Sequence, residues 1–320
     1  MIDKAQVHSF LQQTLQFEGS EDQIQLLDKG NINLPDTTVK CVISNPAGSD
    51  YFMLVSAPNG TSGIARAVEN IKKIKSLLPQ DFAGTLLSPL SAGEINHRSC
   101  AVWALHEPFM PSSQMLFRLR RILYRRRFLD WAYDFCAHTL STPSGQESLL
   151  SGFIRPLRQV MARETFPALM REHAKIAIQR IECKQWQPKH CVQHGDLWYG
   201  NILLPNKKYK NEANLYVIDW GSANMYGYPI FDFARLAIAM NSNRRVLRPY
   251  IDKFTQLLGC ERPDISAYML CAIGDMATKL EHFPEDQFHL MSIGTYEYIR
   301  NMSLGTNEKL PLAFLNASKA

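Results

Sequence analysis

Two acids and an amide in the middle of the chain are spaced as phosphoryl-transfer chemistry requires. Asp196 and Asn201 lie five residues apart within Cys191-Val192-Gln193-His194-Gly195-Asp196-Leu197-Trp198-Tyr199-Gly200-Asn201-Ile202-Leu203-Leu204, and Asp219 ends the apolar run Leu215-Tyr216-Val217-Ile218. An acid can orient a hydroxyl and accept its proton, while an amide and a second acid can hold a divalent cation against phosphates. Gly195 lets the backbone turn tightly enough for Asp196 to project into a cleft. Each residue also has a plainer reading: Asp196 and Asn201 as turn residues bonding their own backbone, His194 as a structural imidazole. His194 is expected to brace the loop, since Asp196 is the better-placed base. What favours catalysis is the second element, Ile218-Asp219-Trp220-Gly221, arriving after an apolar strand at hairpin distance.

The elements that must position these groups are readable around them. Apolar strands lead into and out of the loop, and the polar tract Pro205 to Asn214 supplies a hairpin turn before Leu215–Ile218. The first hundred residues read as a small mixed unit: an opening helix near Val7–Phe17, then strands at Ile24–Leu27, Val39–Ser44, Tyr51–Ser56 and Ala101–Leu105. Between the last two strands, Ile64, Val68, Ile71, Ile74 and Leu78 recur at helical spacing up to Pro79. The prolines of His106-Glu107-Pro108-Phe109-Met110-Pro111 mark a hinge. Helices are expected beyond it at 114–140, 145–162, 165–184, 229–241, 246–258, 264–282 and 287–301. The domain expectation is therefore a strand-rich lobe at 1–106 and a mostly helical lobe at 107–320 carrying the catalytic and metal loops.

Taken together, these motifs carry a family resemblance. His194-Gly195-Asp196-Leu197-Trp198-Tyr199-Gly200-Asn201, Ile218-Asp219-Trp220 and Gly227-Tyr228-Pro229-Ile230-Phe231-Asp232-Phe233-Ala234 resemble the three recurring elements of the aminoglycoside phosphotransferase and choline kinase-like family. The His-Gly-Asp-Leu-Trp opening is also similar to that of fructosamine kinases. The resemblance implies an α+β, protein-kinase-like two-lobed fold and transfer from ATP (or GTP) with Mg2+ to a hydroxyl of a sugar, amino sugar or amino alcohol. It implies Asp196 as catalytic base, Asn201 and Asp219 as magnesium ligands, and Asp232 with His194 as braces of the loop. Only twelve residues separate Asp219 from Asp232, too few for the activation segment with which protein kinases dock a peptide, so a small-molecule acceptor is expected.

The nucleotide clamp departs from the kinase pattern. The third strand, Tyr51-Phe52-Met53-Leu54-Val55-Ser56, carries no lysine, where kinases use one to hold the α- and β-phosphates. Lys40 on the preceding strand is the substitute candidate, with a solvent-facing lysine as the competing reading. A single glycine, Gly30, stands where a phosphate-covering turn is expected, and backbone N–H groups there can still cradle phosphate. The adenine edge is expected to meet the backbone of Leu105–Glu107. Glu69 points away from its helix's apolar stripe, at about 100° per residue, and is expected to be solvated. Asp275 and Glu281 are substrate-binding candidates in the helical lobe. These departures support one rival reading, a weak or inactive kinase fold acting as nucleotide sensor or scaffold.

Bulk properties narrow the classes further. The chain has 320 residues, 46% of them hydrophobic and 20% charged, the balance of a globular protein. No apolar run approaches the roughly 18 residues of a membrane span and no signal-peptide pattern opens the chain, so a cytoplasmic protein is expected. Seven scattered cysteines read as reduced thiols rather than a disulfide framework or a zinc site. The net charge of +5 does not indicate nucleic-acid binding. Six arginines in the ten positions 118–127 suggest an anionic partner, or else a solvated helix flank with its apolar residues packed inward.

Overall fold

The computed structural model describes residues 2–28, 38–46, 48, 50–57, 63–206, 213–280 and 284–304. In chain order the elements are α1 (Lys4–Leu15), β1 (Ile24–Asp28), β2 (Val39–Ile43), β3 (Tyr51–Val55), α2 (Gly63–Lys75), α3 (Gln80–Ala83), β4 (Ser91–Ile95), β5 (Arg98–Ala104) and β6 (Glu107–Pro108). There follow α4 (Gln114–His138), α5 (Gln146–Leu149), α6 (Arg155–Ala162), α7 (Ala168–Glu182), β7 (Cys191–Gln193), β8 (Ile202–Leu204), β9 (Tyr216–Val217) and β10 (Asn224–Gly227). The chain closes with α8 (Phe231–Ala239), α9 (Arg244–Leu258), α10 (Arg262–Met276) and α11 (Glu285–Leu304). Two compact units result: Met1–Pro111 with Gly200–Ala223, and Ser112–Tyr199 with Asn224–Ala320.

The first unit is built on an antiparallel sheet of order β1-β2-β3-β5-β4. Period-two alternation in β2 sends Val39, Cys41 and Ile43 to one face, where they join Met53, Val55, Val102 and the α1 residues Val7, Phe10 and Leu11 in one core. Helix α1 starts on a capping box, Asp3 accepting from the Gln6 backbone N–H and Gln6 accepting in return from that of Asp3. The opposite face packs Leu54, Ala101 and Trp103 against Ile64 and Val68 of α2. A second sheet, of order β6-β8-β9, pairs Ile202 with Val217 and Glu107 with Leu204.

Two features of this unit differ from the sequence expectation. Strand β4 was not anticipated, because Ser91-Ala92-Gly93-Glu94-Ile95 is poor in β-branched and aromatic residues. It forms as an edge strand on β5 through a two-residue turn at Asn96-His97, both at positive φ as a type I′ hairpin needs. The prolines at 108 and 111 do not simply interrupt structure: Pro108 sits in the edge strand β6, where the absence of an N–H is tolerated.

The second unit is helical, apart from the β7–β10 ladder. The helix expected at 145–162 is one run in three parts, α5, a π turn at Leu150–Ile154 and α6. Behind it lies a ring-rich core in which Phe153 meets Trp186, His190, Tyr228 and Tyr268. All seven cysteines are free thiols, five of them buried. Among the described residues no helix is long and apolar enough to cross a membrane.

Candidate active site

In the second unit, β7 delivers His194-Gly195-Asp196 from a strand tied down on both sides. One side is the antiparallel ladder to β10; on the other, His190 and Ser141 exchange backbone bonds of 2.8 Å and Val192 N–H donates to the Thr139 hydroxyl at 3.2 Å. Gly227 of β10 lies so close to Gln193 that a Cβ would fall 2.2 Å from its Cβ. That approach lets the Tyr228 N–H reach the Gln193 side-chain oxygen at 3.1 Å.

The turn itself is clasped by Asp232, from the first turn of α8. The buried Asp232 carboxylate accepts from the His194 N–H through Oδ2 and from the Gly195 N–H through Oδ1, the latter at 3.1 Å. Burial raises the Asp232 pKa, opposed by His194, by the two N–H bonds and by Arg235. Gly195 adopts φ +85, open to glycine at little steric cost. The fully buried His194 accepts the Asp196 N–H on Nδ1 at 3.3 Å, which puts its ring proton on Nε2. Backbone and imidazole thus fix the loop while the Asp196 side chain remains 43% exposed.

One contact here escaped the sequence reading. Arg235 Nη2 meets Asp196 Oδ1 at 2.8 Å, with the guanidinium also 5.7 Å from the Phe231 ring centroid. Asp232 and Arg235 are three apart on α8, hence on one helical face. A wheel of α8 was the available signal, although arginine three residues after an acid is too common to be diagnostic.

In the first unit, Asn201 and Asp219 are set by the β8–β9 hairpin. The buried Asn201 precedes β8, and its carbonyl accepts the Ile218 N–H at 3.0 Å. Asp219 follows β9, is exposed, and adopts φ 64, ψ 58, a left-handed conformation uncommon outside glycine and enriched in Asp and Asn. Trp220 anchors the turn: its indole is fully buried and donates to the Val217 carbonyl at 3.1 Å, while its own carbonyl accepts from Asn70 of α2 at 2.9 Å. An amide and a carboxylate are hard oxygen donors of the kind magnesium takes, usually completed by water and substrate phosphates. No group of three His, Cys, Asp or Glu that could hold a metal alone exists among the described residues.

The remaining candidates are scattered. Lys40 is exposed and shares with Leu54 and Ala101 the sheet face covered by α2. Glu69 is solvated and ion-pairs with Lys73 at 2.6 Å. Leu105 donates its N–H to the Asp50 carbonyl at 2.8 Å, and Glu107 lies exposed in β6. Between them the buried His106 ring stacks 4.3 Å from Tyr216, and burial lowers its pKa. Asp275 pairs with Lys279 at 2.8 Å. Gly30 and Glu281 lie outside the described residues.

An antiparallel sheet with helices on its faces, followed by a largely helical region, is the α+β, two-lobed protein-kinase-like fold. Residues 123–266 match the model of the phosphotransferase enzyme family, which bears out the resemblance read from His194 to Asn201 and from Gly227 to Ala234. No curated protein compared with the chain matches it. Among solved structures, an aminoglycoside phosphotransferase, APH(4)-Ia, in ternary complex with AMP-PNP and hygromycin B is 15% identical. It covers 94% of this chain and 99% of its own, at a TM-score of 0.55. The macrolide 2'-phosphotransferase MphH from Brachybacterium faecium is 14% identical, with coverages of 95% and 100% and a TM-score of 0.51. A fructosamine-3-kinase-like protein from Thermobifida fusca is 12% identical, with coverages of 94% and 99% and a TM-score of 0.52. At such identities the likeness is one of fold.

Proposed function

We propose that the chain is an ATP- and Mg2+-dependent phosphotransferase whose acceptor is the hydroxyl of a small molecule such as a sugar, amino sugar or amino alcohol. The observation that carries this reading is the clasp of Asp232 on the His194 and Gly195 N–H groups. It spends a buried carboxylate on fixing a turn whose one projecting acid, Asp196, stays open to solvent.

In this reading Asp196 accepts a hydrogen bond from the acceptor hydroxyl, aims its oxygen at the terminal phosphorus and takes the proton as the new P–O bond forms. Arg235 holds Asp196 through Oδ1. Asn201 and Asp219 would hold Mg2+, which would supply positive charge to offset that developing on the transferring phosphate. Lys40 and the backbone around Leu105–Glu107 would contact the nucleotide, in a cytoplasm that supplies it, and Asp275 would face the substrate. The small-molecule choice draws on the twelve residues between Asp219 and Asp232. A turn at Trp220–Ser222, β10 and the start of α8 occupy that stretch, leaving no loop to cradle a peptide. The solved aminoglycoside phosphotransferase is in complex with a small molecule, hygromycin B, beside AMP-PNP, which supports that choice.

Replacing Asp196 by Asn tests the assignment. Turnover of ATP against a panel of sugars, aminoglycosides and amino alcohols is expected to fall roughly 10³-fold, with the thermal shift produced by Mg-ATP retained. Near-normal turnover would sink it. The sensor or scaffold reading is favoured by the Arg235 ion pair on Asp196 and by the lysine-free third strand. It predicts a Mg-ATP thermal shift in the unmodified chain without phosphate transfer to any acceptor.

A further inference from the structure

We propose that the first half of α4 docks on an anionic lipid surface. At about 100° per residue, Met115, Leu116, Leu119, Ile122 and Leu123 fall on one arc of the helix, and all five are between 41% and 84% exposed. The helix carries a second apolar face, opposite the first, and this one is packed. Phe117 meets the Tyr199 ring at 4.8 Å, Arg121 lies over Phe117, and Phe128 is buried. Held by that face, α4 cannot roll to hide its outer stripe. Contiguous exposed apolar surface of this kind marks an interaction site rather than ordinary surface scatter.

The charges around the stripe select the partner. Arg118 and Arg125 border one edge of the arc, Arg120 and Arg127 the other, and Arg126 closes its C-terminal end. No acidic residue occurs from Pro108 to Leu129. A second copy of the chain is a poor occupant, because a two-fold contact would set six arginines against six, with Asp130 of the same helix, already bonded to the Tyr250 hydroxyl, as the nearest acid in sequence to offset them. The stripe is also convex, offering no pocket for a protein's anchoring side chain. A helix lying in the headgroup plane with leucine, isoleucine and methionine inward and arginines among the phosphates suits an anionic bilayer.

Vesicle co-sedimentation of the full chain tests this. Binding is expected to phosphatidylcholine vesicles containing phosphatidylglycerol and not to phosphatidylcholine alone, weakening as salt is raised. Leu119→Asp combined with Ile122→Asp should abolish it, and Arg126→Gln should weaken it roughly fivefold. Leu290→Asp, at an exposed leucine of α11, should leave binding intact, and circular dichroism should show all variants folded. The proposal is overturned if the unmodified chain ignores anionic vesicles, or if the double Asp variant or Arg126→Gln binds them as well as the parent. It is overturned equally by a vesicle-free dimer that the double variant disperses, or by retention on an acidic polypeptide in place of vesicles.

Discussion

The turn at Asp196 and the turn at Asp219 solve one problem by opposite means. Each presents a carboxylate from the end of a short strand, and each must keep its backbone still while the side chain stays available. At Asp196 the fixing is polar: a buried carboxylate takes two consecutive N–H groups, and a buried imidazole takes a third. At Asp219 it is mainly apolar. A buried indole wedges the next residue, and a left-handed backbone lets the chain leave β9 at the needed angle. A polar clamp fixes direction through bonds that tolerate little change in atom type, whereas an apolar seat fixes position through volume.

That contrast is open to breakage. Trp220→Ala should cost about 3–5 kcal/mol in thermal or denaturant unfolding, the usual toll of a large buried cavity. Trp220→Phe keeps most of the volume and forfeits one hydrogen bond, so about 1–2 kcal/mol is expected, with turnover nearly retained. Asp232→Asn should behave in the reverse sense. Its amide nitrogen faces an N–H donor where an oxygen stood, so turnover should fall roughly a hundredfold while the overall volume is unchanged. A Trp220→Phe variant more damaged in turnover than Asp232→Asn would reverse the comparison.

Arg235 offers a smaller and sharper test of the polar side. Its pair with Asp196 is partly solvent-exposed, so Arg235→Gln should change stability by less than about 1 kcal/mol. Turnover should fall about tenfold, because Asp196 loses a side-chain restraint on Oδ1, and Arg235→Lys should restore part of it. Nucleotide affinity, read by Mg-ATP thermal shift, should not move. Unchanged turnover would mark the ion pair as a resting contact that the reaction does not use.

What the sequence disclosed follows the same division. Asp196, Asn201, Asp219 and Asp232 could be singled out as candidates because the proposed chemistry demands particular residue types at short spacing on strand–turn–strand and turn–helix frames. The strands β1 to β3 were legible from alternation and bounding turns. Strand β4 was not, since its pairing partner, not its own Ser-Ala-Gly-Glu-Ile, makes it a strand. Arg235 was not, because its partner lies 39 residues away, beyond any local pattern. In α4 the arginine run was visible, but apolar residues at helical spacing on both faces concealed which would pack. Only tertiary contacts bury Phe128, seat the half-buried Phe117 against Tyr199 and leave Ile122 outside.

The smallest expected effect concerns three histidines away from the turns' own side chains. His106 beside β6, His190 before β7 and His173 in α7 all have pKa values lowered from 6.5, with burial the leading cause in each. Just below pH 6.5 the unfolded chain therefore binds more protons than the folded one, and unfolding takes protons up. Stability must then rise with pH through that window and level off above it, and fall away as the medium is acidified. Thermal midpoints measured between about pH 5 and 7 should show that slope. His190 packs 4.5 Å from Phe153 and would meet a Cβ at position 152 within 2.7 Å, so a charged ring there has little room for water. His190→Asn replaces the titrating ring with a non-titrating amide, and should flatten the slope even though its cavity lowers the midpoint at every pH. A midpoint that falls as pH rises through the window, or a slope unaltered by that substitution, would place the acid sensitivity outside the strand that leads to Asp196.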